Sequence, residues 1–411
     1  MAVGEAHFPD MPVIDGLRLG TSTAGIKTPG RRDLVVIEIP DGARVAGAFT
    51  RNAFCAAPVT VARQHLASCA SRGLSARYLV INTGNANAGT GEAGLRDARA
   101  TCAELARLAQ VDDDNVLPFS TGVIGESLPM ERLIGGLPMA FEALDATAQA
   151  WHEAAQGILT TDTRAKGASV TLQIGDESVR INGISKGSGM IRPDMATMLA
   201  FVATDASIDT SLLDALLHET LGRSFNCITV DSDTSTNDAC MLMATGRGAA
   251  VTSDDPEALD IFRNGLQRVM TELAQAIIRD GEGATKFVTL QVSGAGSRRE
   301  ALDVAFTVAH SPLVKTALYA SDANWGRILA AVGRAPVEDF DVSRVIIDLG
   351  DVRLVEQGGR AASYTEDAGS AVMGRDEITI HIDLGRGEEQ ATVWTSDLSH
   401  DYVTINADYR N

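Results

Sequence analysis

A threonine at the junction of a glycine-rich loop and an apolar run is the residue best suited to chemistry in this sequence. Residues 186–206 read KGSGMIRPDMATMLAFVATDA, and Thr197 stands at the head of the apolar part. Glycines permit backbone conformations that a Cβ forbids, and the apolar run predicts a buried strand. A hydroxyl held where a flexible loop meets a rigid strand could attack the carbonyl just before it, which belongs to Ala196.

Such an attack would cut the chain and change the chemistry of Thr197. An N-to-O acyl shift followed by hydrolysis would separate Ala196 from Thr197 and leave a free α-amine beside the hydroxyl. That is the nucleophile-plus-base pair of N-terminal threonine enzymes. The structural alternative is an ordinary strand residue, because the β-branched threonine is common in strands.

Acyl transfer also needs donors for the oxyanion that develops on the attacked carbonyl. The motif STGVIG follows a predicted strand, and Thr121-Gly122 within it offers a hydroxyl next to a glycine N–H. Two such donors would form an oxyanion hole. Ser-Thr-Gly is also a common turn sequence, so the motif alone is compatible with a simple turn.

Further loops carry polar groups that suit a binding pocket. TTDTRAK begins at Thr160, and Lys186 precedes the central glycine loop, where it could bind a carboxylate or support the oxyanion. Glu282, between two glycines in DGEGATK, could pair with an amine on a substrate. For Lys186 and Glu282 the alternative is a solvated surface charge.

Two other polar loops carry less chemical information. NTGNANAGTG (82–91) stands between a predicted strand and helix, so it either lines a pocket or forms a well-satisfied turn. It does not match the phosphate-binding pattern Gly-x-x-x-x-Gly-Lys-Ser. DSDTSTND (231–238) does not match the calcium-loop spacing, and we interpret it as a turn.

The elements around these loops predict a layered α/β fold. Apolar patterns and turn signals predict several long helices separated by groups of strands. We expect an α-β-β-α sandwich with two stacked sheets and a smaller strand-rich α/β region near residues 295–400. The predicted strands are 33–40, 45–50, 76–82, 116–119, 170–184 as a hairpin, 227–230, 239–244, 284–292 and the segments SRVIIDLG, DVRLVEQ, EITIHIDLG and QATVWTSDL. The predicted helices are 59–72, 92–110, 130–158 (mostly helical), 210–225, 254–279, 301–309 and 325–332.

Charge and composition exclude some classes of function. The 411 residues carry a formal net charge of −19, which repels a phosphate backbone and argues against nucleic acid as a partner, although a local basic pocket remains compatible. Neither a membrane span nor a secretory signal is expected. The five cysteines are widely spread without a Cys-x-x-Cys pair, which fits free thiols in a reducing cytoplasm. The seven histidines form no ligand pattern, so no metal site is expected.

Taken together, the motifs resemble one known family. VINTGNANAGTG, STGVIG, TTDT, KGSGMI with DMATML, RDGEGATK, SDANWGR and the terminal NADYR occur in one order along the chain. This combination resembles the ornithine acetyltransferase family, also called the bifunctional glutamate N-acetyltransferases of arginine biosynthesis. The resemblance covers essentially the whole chain and implies the same α-β-β-α fold.

The resemblance also implies roles for individual residues. The self-cleaving Ala-Thr of the family matches Ala196 and Thr197, which implies an α chain of residues 1–196 and a β chain of residues 197–411 that begins with the nucleophile. The family's oxyanion residues match Thr121 and Gly122. The family usually ends in serine or threonine, whereas this chain ends in asparagine. The implied substrate contacts fall on Thr160, Lys186, Thr197, Glu282, Asn406 and, with that departure, Asn411.

The function implied is transfer of an acetyl group from N-acetylornithine to glutamate through an acetyl-Thr197 ester. No cofactor and no metal are implied, although acetyl-CoA is a possible co-substrate. The expected protein is cytoplasmic, binds small molecules and contains two α and two β chains. Two alternatives remain open: a related self-processing amidase or aminopeptidase, and a non-catalytic amino-acid-binding protein in which Thr197 is only a strand residue.

Overall fold

The helices and strands of the protein come from a computed structural model that describes residues 2–5, 7–192 and 198–408. The strands are β1 (Arg18–Ser22), β2 (Leu34–Glu38), β3 (Arg44–Phe49), β4 (Tyr78–Asn85), β5 (Val116–Val123), β6 (Lys166–Ile174), β7 (Glu177–Lys186), β8 (Leu199–Thr204), β9 (Ile228–Thr229), β10 (Ala239–Ala244), β11 (Phe287–Ala295), β12 (Ile346–Leu349), β13 (Val352–Glu356), β14 (Gly359–Arg360), β15 (Glu377–Asp383) and β16 (Glu389–Ser396). The helices are α1 (Ala57–Ser71), α2 (Gly91–Ala109), α3 (Met130–Glu142), α4 (Ala148–Gly157), α5 (Thr210–Leu221), α6 (Pro256–Arg279), α7 (Arg298–Ala309), α8 (Pro312–Tyr319), α9 (Trp325–Gly333), α10 (Glu366–Met373) and α11 (His400–Ala407).

Two sheets stack face to face and form the centre of the fold. The first has the order β1-β2-β4-β5, and the second has the order β3-β10-β8-β7-β6. Side chains of Leu79 and Phe119 from the first sheet and of Leu199 and Phe201 from the second share one buried cluster, so these sheet faces pack against each other. The opposite face of the first sheet packs on α2 and α3, and that of the second packs on α5 and α6. This arrangement is the predicted α-β-β-α sandwich.

Alternation along β8 explains why its sequence is apolar throughout. Leu199 and Phe201 point into the cluster between the sheets, whereas Ala200 and Val202 point toward the helices on the other face. Successive strand residues face opposite sides of a sheet, and here both sides are buried. All six residues of β8 are accordingly buried. The strand begins at Leu199, two residues after Thr197.

Truncating Phe201 tests this packing. The ring is fully buried and meets Phe119 edge-on, with 5.2 Å between ring centroids. We expect Phe201→Ala to cost about 3–5 kcal/mol of stability, measured by urea unfolding, because it leaves a cavity between the sheets. The control Leu313→Ala removes a side chain that is 61% exposed and should cost less than about 0.5 kcal/mol. Equal effects of the two substitutions would contradict the packing described.

A third sheet of seven strands lies in the C-terminal half, with the order β14-β13-β12-β15-β11-β16-β9. It packs on α7 and α9 in a cluster of its own. The predicted strand-rich region is therefore present; its sheet has more strands than either central sheet, with four and five strands, but fewer than the two together. It begins earlier than residue 295, because β11 starts at Phe287, and it recruits the short β9 through parallel pairing with β16.

Most predicted elements are confirmed with small changes of boundary, and several differ from the prediction. The segment 130–158 forms two helices, α3 and α4, with an interruption at 143–147. The helix expected over 210–225 ends at Leu221, and the strand expected over 227–230 is only the two-residue β9. The elements that were not predicted are β1, β14, α8, α10 and the C-terminal α11. Helix α6 begins with an N-cap, because the Asp255 carboxylate accepts a hydrogen bond from Ala258 N (3.1 Å).

The structure also bears on the expectations for membrane spans and for cysteines. None of the described helices is both long and apolar enough to cross a bilayer. All five cysteines are free, as expected from their spacing.

Candidate active site

A cavity of about 260 Å³ opens where the central sheets, the loop after β7 and the C-terminal helix meet. Met198 and Leu199, at the start of β8, form part of its wall. Six residues singled out from the sequence line this one cavity, although they come from distant parts of the chain: Thr121, Gly122, Thr160, Lys186, Glu282 and Asn406.

The Thr121-Gly122 pair lies near the end of strand β5, at the cavity wall. Parallel pairing with β4 places Gly122 opposite Gly84. Gly122 has φ of +135°, and a Cβ at this position would lie 2.3 Å from the carbonyl carbon of Gly84. Only glycine fits both the conformation and this close approach. The backbone at the predicted oxyanion site is therefore fixed by the neighbouring strand.

Lys186 ends β7 and extends into the cavity. Its Nζ donates a hydrogen bond to Thr121 Oγ1 (3.2 Å), the only hydrogen bond of this ammonium among the described residues. Burial lowers the pKa of Lys186, and the negative charge of Asp162 opposes that effect most strongly. An ammonium with further donors free beside the predicted oxyanion threonine suits the capture of a carboxylate.

Glu282 stands on another wall and is held by two hydrogen bonds. Thr161 Oγ1 donates to its Oε1, and Asn406 Nδ2, on α11, donates to its Oε2, both at 2.7 Å. Gly189 packs so closely that a Cβ there would lie 2.3 Å from Glu282 Oε2. Glu282 is thus a nearly buried carboxylate with a fixed orientation, not the solvated loop carboxylate of the alternative interpretation.

Helix α11 is attached to the Glu282 turn. Ser399 Oγ, at the start of this helix, donates to the carbonyl of Gly283 (2.6 Å). Asp397, just before it, accepts hydrogen bonds from the backbone N–H groups of Thr285 and Lys286 (2.8 and 2.9 Å). These bonds explain how Asn406, near the end of the chain, reaches a loop more than a hundred residues earlier.

The chain just before the predicted cleavage site is held by Asp231. Its carboxylate accepts hydrogen bonds from Met190 N (2.7 Å) and Ile191 N (2.8 Å). Tyr402 of α11 donates its hydroxyl to the same carboxylate (3.2 Å). The polar stretch 231–238, interpreted as a turn, contains no regular helix or strand, and it has this anchoring role.

Three predicted site residues lie outside the described residues. They are Ala196, Thr197 and Asn411. Their predicted parts in cleavage, catalysis and substrate binding stay predictions. The two described residues that flank the 193–197 gap are Arg192 and Met198, and Met198 lines the cavity.

The cavity also contains an acidic residue that the sequence analysis missed. Asp238 lies directly before β10, which runs parallel to β8, and Ala239 N donates to Met198 O (3.0 Å). Burial raises the pKa of Asp238 well above its ordinary value, while a hydrogen bond from Ser235 and the charge of Lys186 oppose the rise. Its Oδ2 has no hydrogen-bond partner in the described part of the chain. In the sequence it was one of three aspartates in a turn, so nothing distinguished it.

The asparagine-rich loop after β4 has a structural role. Asn85 Nδ2 donates to the carbonyls of Glu126 (3.2 Å) and Ser127 (3.1 Å), and Asn87 Nδ2 donates to Gly94 O (2.9 Å). Both side chains are buried and satisfied within the protein. Both alternatives for this loop are therefore observed in part: its asparagines are satisfied within the protein, Ala86 lines the cavity, and Thr83 and Gly84 line a neighbouring pocket.

A comparison with protein families matches the ArgJ family over residues 18–411. The chain belongs to the ArgJ family. A curated relative named arginine biosynthesis bifunctional protein ArgJ, from Pseudomonas fluorescens, is 53% identical over 412 residues, which covers 100% of both chains. A protein of the same name from Methylococcus capsulatus is 55% identical over 398 residues, or 97% of this chain and 96% of the relative. A solved structure, the ornithine acetyltransferase complexed with ornithine from Mycobacterium tuberculosis, is 34% identical over 44% of this chain and 94% of that chain, with a TM-score of 0.38.

Membership of the ArgJ family confirms the resemblance seen in the motifs and the assignment to an enzyme of arginine biosynthesis. It does not test the roles of single residues. Among the described residues of this ArgJ-family chain, no group of three or more His, Cys, Asp or Glu side chains is arranged to hold a metal ion.

Proposed function

We propose that this protein transfers the acetyl group of N-acetylornithine to glutamate through an ester on Thr197. The observation that carries the proposal is the cavity at the start of β8. The cavity joins a hydroxyl-glycine pair, a partly buried ammonium and an oriented carboxylate. Its wall also contains Met198 and Leu199, which follow Thr197 by one and two residues in the chain. Those groups match the needs of acyl transfer between two amino acids.

The first step is self-cleavage. The Thr197 hydroxyl attacks the Ala196 carbonyl carbon, the C–N bond breaks, and the amine nitrogen takes up the proton released by the hydroxyl. Water then hydrolyses the resulting ester, which restores the hydroxyl and gives Ala196 a carboxylate. The products are an α chain of residues 1–196 and a β chain of residues 197–411, for which we propose an assembly of two of each in the cytoplasm.

The acetyl transfer then uses the new α-amine. With a reference pKa of ~7.7–8.0, a neutral fraction of this amine accepts the hydroxyl proton as Thr197 attacks the acetyl carbonyl. Thr121 and Gly122 stabilise the oxyanion. Collapse of the intermediate breaks the bond to the ornithine nitrogen, which leaves with the proton, and the acetyl group stays on Thr197.

Glutamate completes the cycle in the same cavity. Its α-amine attacks the ester, and N-acetylglutamate leaves with the hydroxyl of Thr197 restored. Both substrates carry an α-carboxylate, and Lys186 binds it. Glu282 binds the ammonium group of N-acetylornithine. Thr160 and Asn406 complete the wall around them, and we extend this role to Asn411. Acetyl-CoA is a second acetyl donor in this scheme and requires no bound cofactor.

An assay with both substrates separates transfer from the rival hydrolysis. Purified protein given N-acetylornithine and glutamate should produce ornithine and N-acetylglutamate in equal amounts. Acetate in place of N-acetylglutamate would identify a self-processing amidase. A non-catalytic binding protein would give neither product and would run as one uncleaved chain on a denaturing gel.

Neutralising Glu282 should weaken the ammonium contact. We expect Glu282→Gln to raise the KM for N-acetylornithine by about 10- to 100-fold, because hydrogen bonds to a charged group contribute about 1.5–3 kcal/mol. The control Glu377→Gln changes an exposed glutamate that pairs with Arg279 and should leave KM unchanged. An unchanged KM in Glu282→Gln would remove Glu282 from substrate binding.

A further inference from the structure

A row of buried charges lies beneath the cavity and is not part of the chemistry described above. Lys166 Nζ, at the start of β6, donates to Asp162 Oδ1 and to Asp280 Oδ2, each at 2.6 Å. The side chains of Asp162 and Asp280 have no exposed surface, and that of Lys166 is 1% exposed. Burying charges is costly unless they are paired and hydrogen-bonded, so such a row is retained for a structural or functional reason.

Each end of this row holds a different wall of the cavity. Asp162 Oδ1 accepts a hydrogen bond from Gly187 N (2.7 Å), directly after Lys186, and its Oδ2 accepts one from Thr160 N (3.0 Å). Asp280 accepts the N–H of Thr163 (3.0 Å) and also its hydroxyl. Asp280 lies two residues before Glu282. The row therefore links the segments that carry Thr160, Lys186 and Glu282.

The charges balance only when Lys186 is counted. Asp162, Lys166 and Asp280 sum to one negative charge, and the Lys186 ammonium brings the group to zero. Burial would raise the pKa of Asp162, but Lys166 and Lys186 overcome that effect and hold it well below its ordinary value. Asp162 is therefore a permanent anion, and it is the counter-charge with the largest effect on Lys186.

We propose that Asp162 is a positioning residue for the carboxylate of the substrate: it fixes the backbone at Gly187 and Thr160 and supplies the counter-charge of Lys186. The proposal rests on the proposed function in one respect, the binding of a carboxylate by Lys186. Lys166 pairs with both Asp162 and Asp280, and so connects Asp162 to the turn that carries Glu282.

The effect of the neighbouring charges on the pKa of Lys186 can be tested, because each charge shifts that pKa in a known direction. The charged groups that act on Lys186 are Asp162, Asp238 and Glu282, which raise its pKa, and Lys166, which lowers it. Removing the charge of Asp162 should lower the pKa of Lys186, so the ammonium is lost at a lower pH. Removing the charge of Lys166 should raise that pKa. A purely structural role would weaken both variants in the same way and could not give shifts of opposite sign.

The experiment measures ornithine binding by calorimetry from about pH 6 to about pH 10, a range that spans the ordinary lysine pKa. We expect Asp162→Asn to bind ornithine about tenfold more weakly at neutral pH, the equivalent of one lost charge-assisted contact. As the pH rises, Asp162→Asn should lose ornithine binding at a lower pH than the wild type does, because its Lys186 loses the proton earlier. Lys166→Met should move that loss to a higher pH. The titration of ornithine itself is common to all proteins compared and cancels.

A matched control is available elsewhere in the same sheet. Asp205 is a buried carboxylate that accepts hydrogen bonds from Arg180 N (2.8 Å) and Arg180 Nη1 (3.1 Å), and it does not line the cavity. Asp205→Asn should cost stability and leave the pH profile of ornithine binding unchanged.

Wild-type affinity and pH profile in Asp162→Asn would overturn the proposal, and so would shifts of the same sign in the two variants. If Asp162→Asn fails to fold, Lys166→Met decides alone, because a profile that does not move upward refutes the counter-charge. Wild-type protein that binds ornithine but makes no N-acetylglutamate would refute the proposed function and leave this inference intact.

Discussion

Replacing Thr197 by alanine should leave one uncleaved chain of 43.2 kDa and reduce acetyl transfer by at least about 10⁴-fold. Without the hydroxyl there is no attack on Ala196 and no atom to carry the acetyl group, and without cleavage there is no free α-amine to accept the proton. Two losses therefore follow from one missing oxygen. A denaturing gel measures the first, and an assay with N-acetylornithine and glutamate measures the second.

The control for this variant is Thr197→Ser, which keeps a hydroxyl and changes only the β-methyl group. It should still be cleaved and should retain measurable transfer. An intact and active Thr197→Ala protein would end the proposed mechanism, and a cleaved Thr197→Ala protein would show that another residue cuts the chain.

Replacing Gly122 by alanine should lower kcat by about 10²–10³-fold, the usual effect of losing one oxyanion donor. The added Cβ would lie 2.3 Å from Gly84 C and 2.5 Å from Asn85 N, so the backbone of one strand must move. Movement of the Gly122 N–H away from the oxyanion affects the transition state more than substrate binding, so KM should change little. Steady-state kinetics with N-acetylornithine distinguishes these effects.

Gly125 provides the matched control for Gly122. It also has a positive φ, +85°, but no atom lies within 4 Å of an added Cβ. Gly125→Ala should therefore cost stability through backbone strain while kcat stays within about twofold of the wild-type value. Equal kcat values in Gly122→Ala and Gly125→Ala would show that Gly122 contributes no oxyanion donor.

The central layers could be predicted from sequence because the pattern of apolar residues directly reports burial. LAFVAT at 199–204 is apolar on both faces of a strand, and in the structure both faces are covered. Helix α11 was missed because its sequence lacks an apolar stripe, and none of its residues is buried. The helix forms where Ser399 contacts Gly283, a contact that no local pattern encodes.

That the separate motifs form one site could not be predicted from the pattern of apolar residues. Thr121, Lys186 and Glu282 lie in separate motifs, and only the resemblance to a family connected them before the structure was known. Pairing of β5 with β4 and the docking of α11 bring these motifs together, and both are long-range contacts.

The buried charges beneath the cavity could not be inferred from the sequence. Asp162 and Lys166 stand among polar neighbours in TTDTRAK, where a solvent-exposed loop is the natural expectation. Their burial depends on Asp280, more than a hundred residues away, and on the layers that enclose all three. Charge pairs of this kind become visible only when the fold is known.

The central claim is that Thr197 carries the acetyl group, and a mass measurement tests it directly. Purified protein is incubated with N-acetylornithine in the absence of glutamate, quenched in acid and analysed by mass spectrometry of the separated chains. The account predicts the added mass of one acetyl group on the fragment that begins with Thr197, and loss of that mass when glutamate is added. An uncleaved chain, or an acetyl group on any other residue, would contradict it.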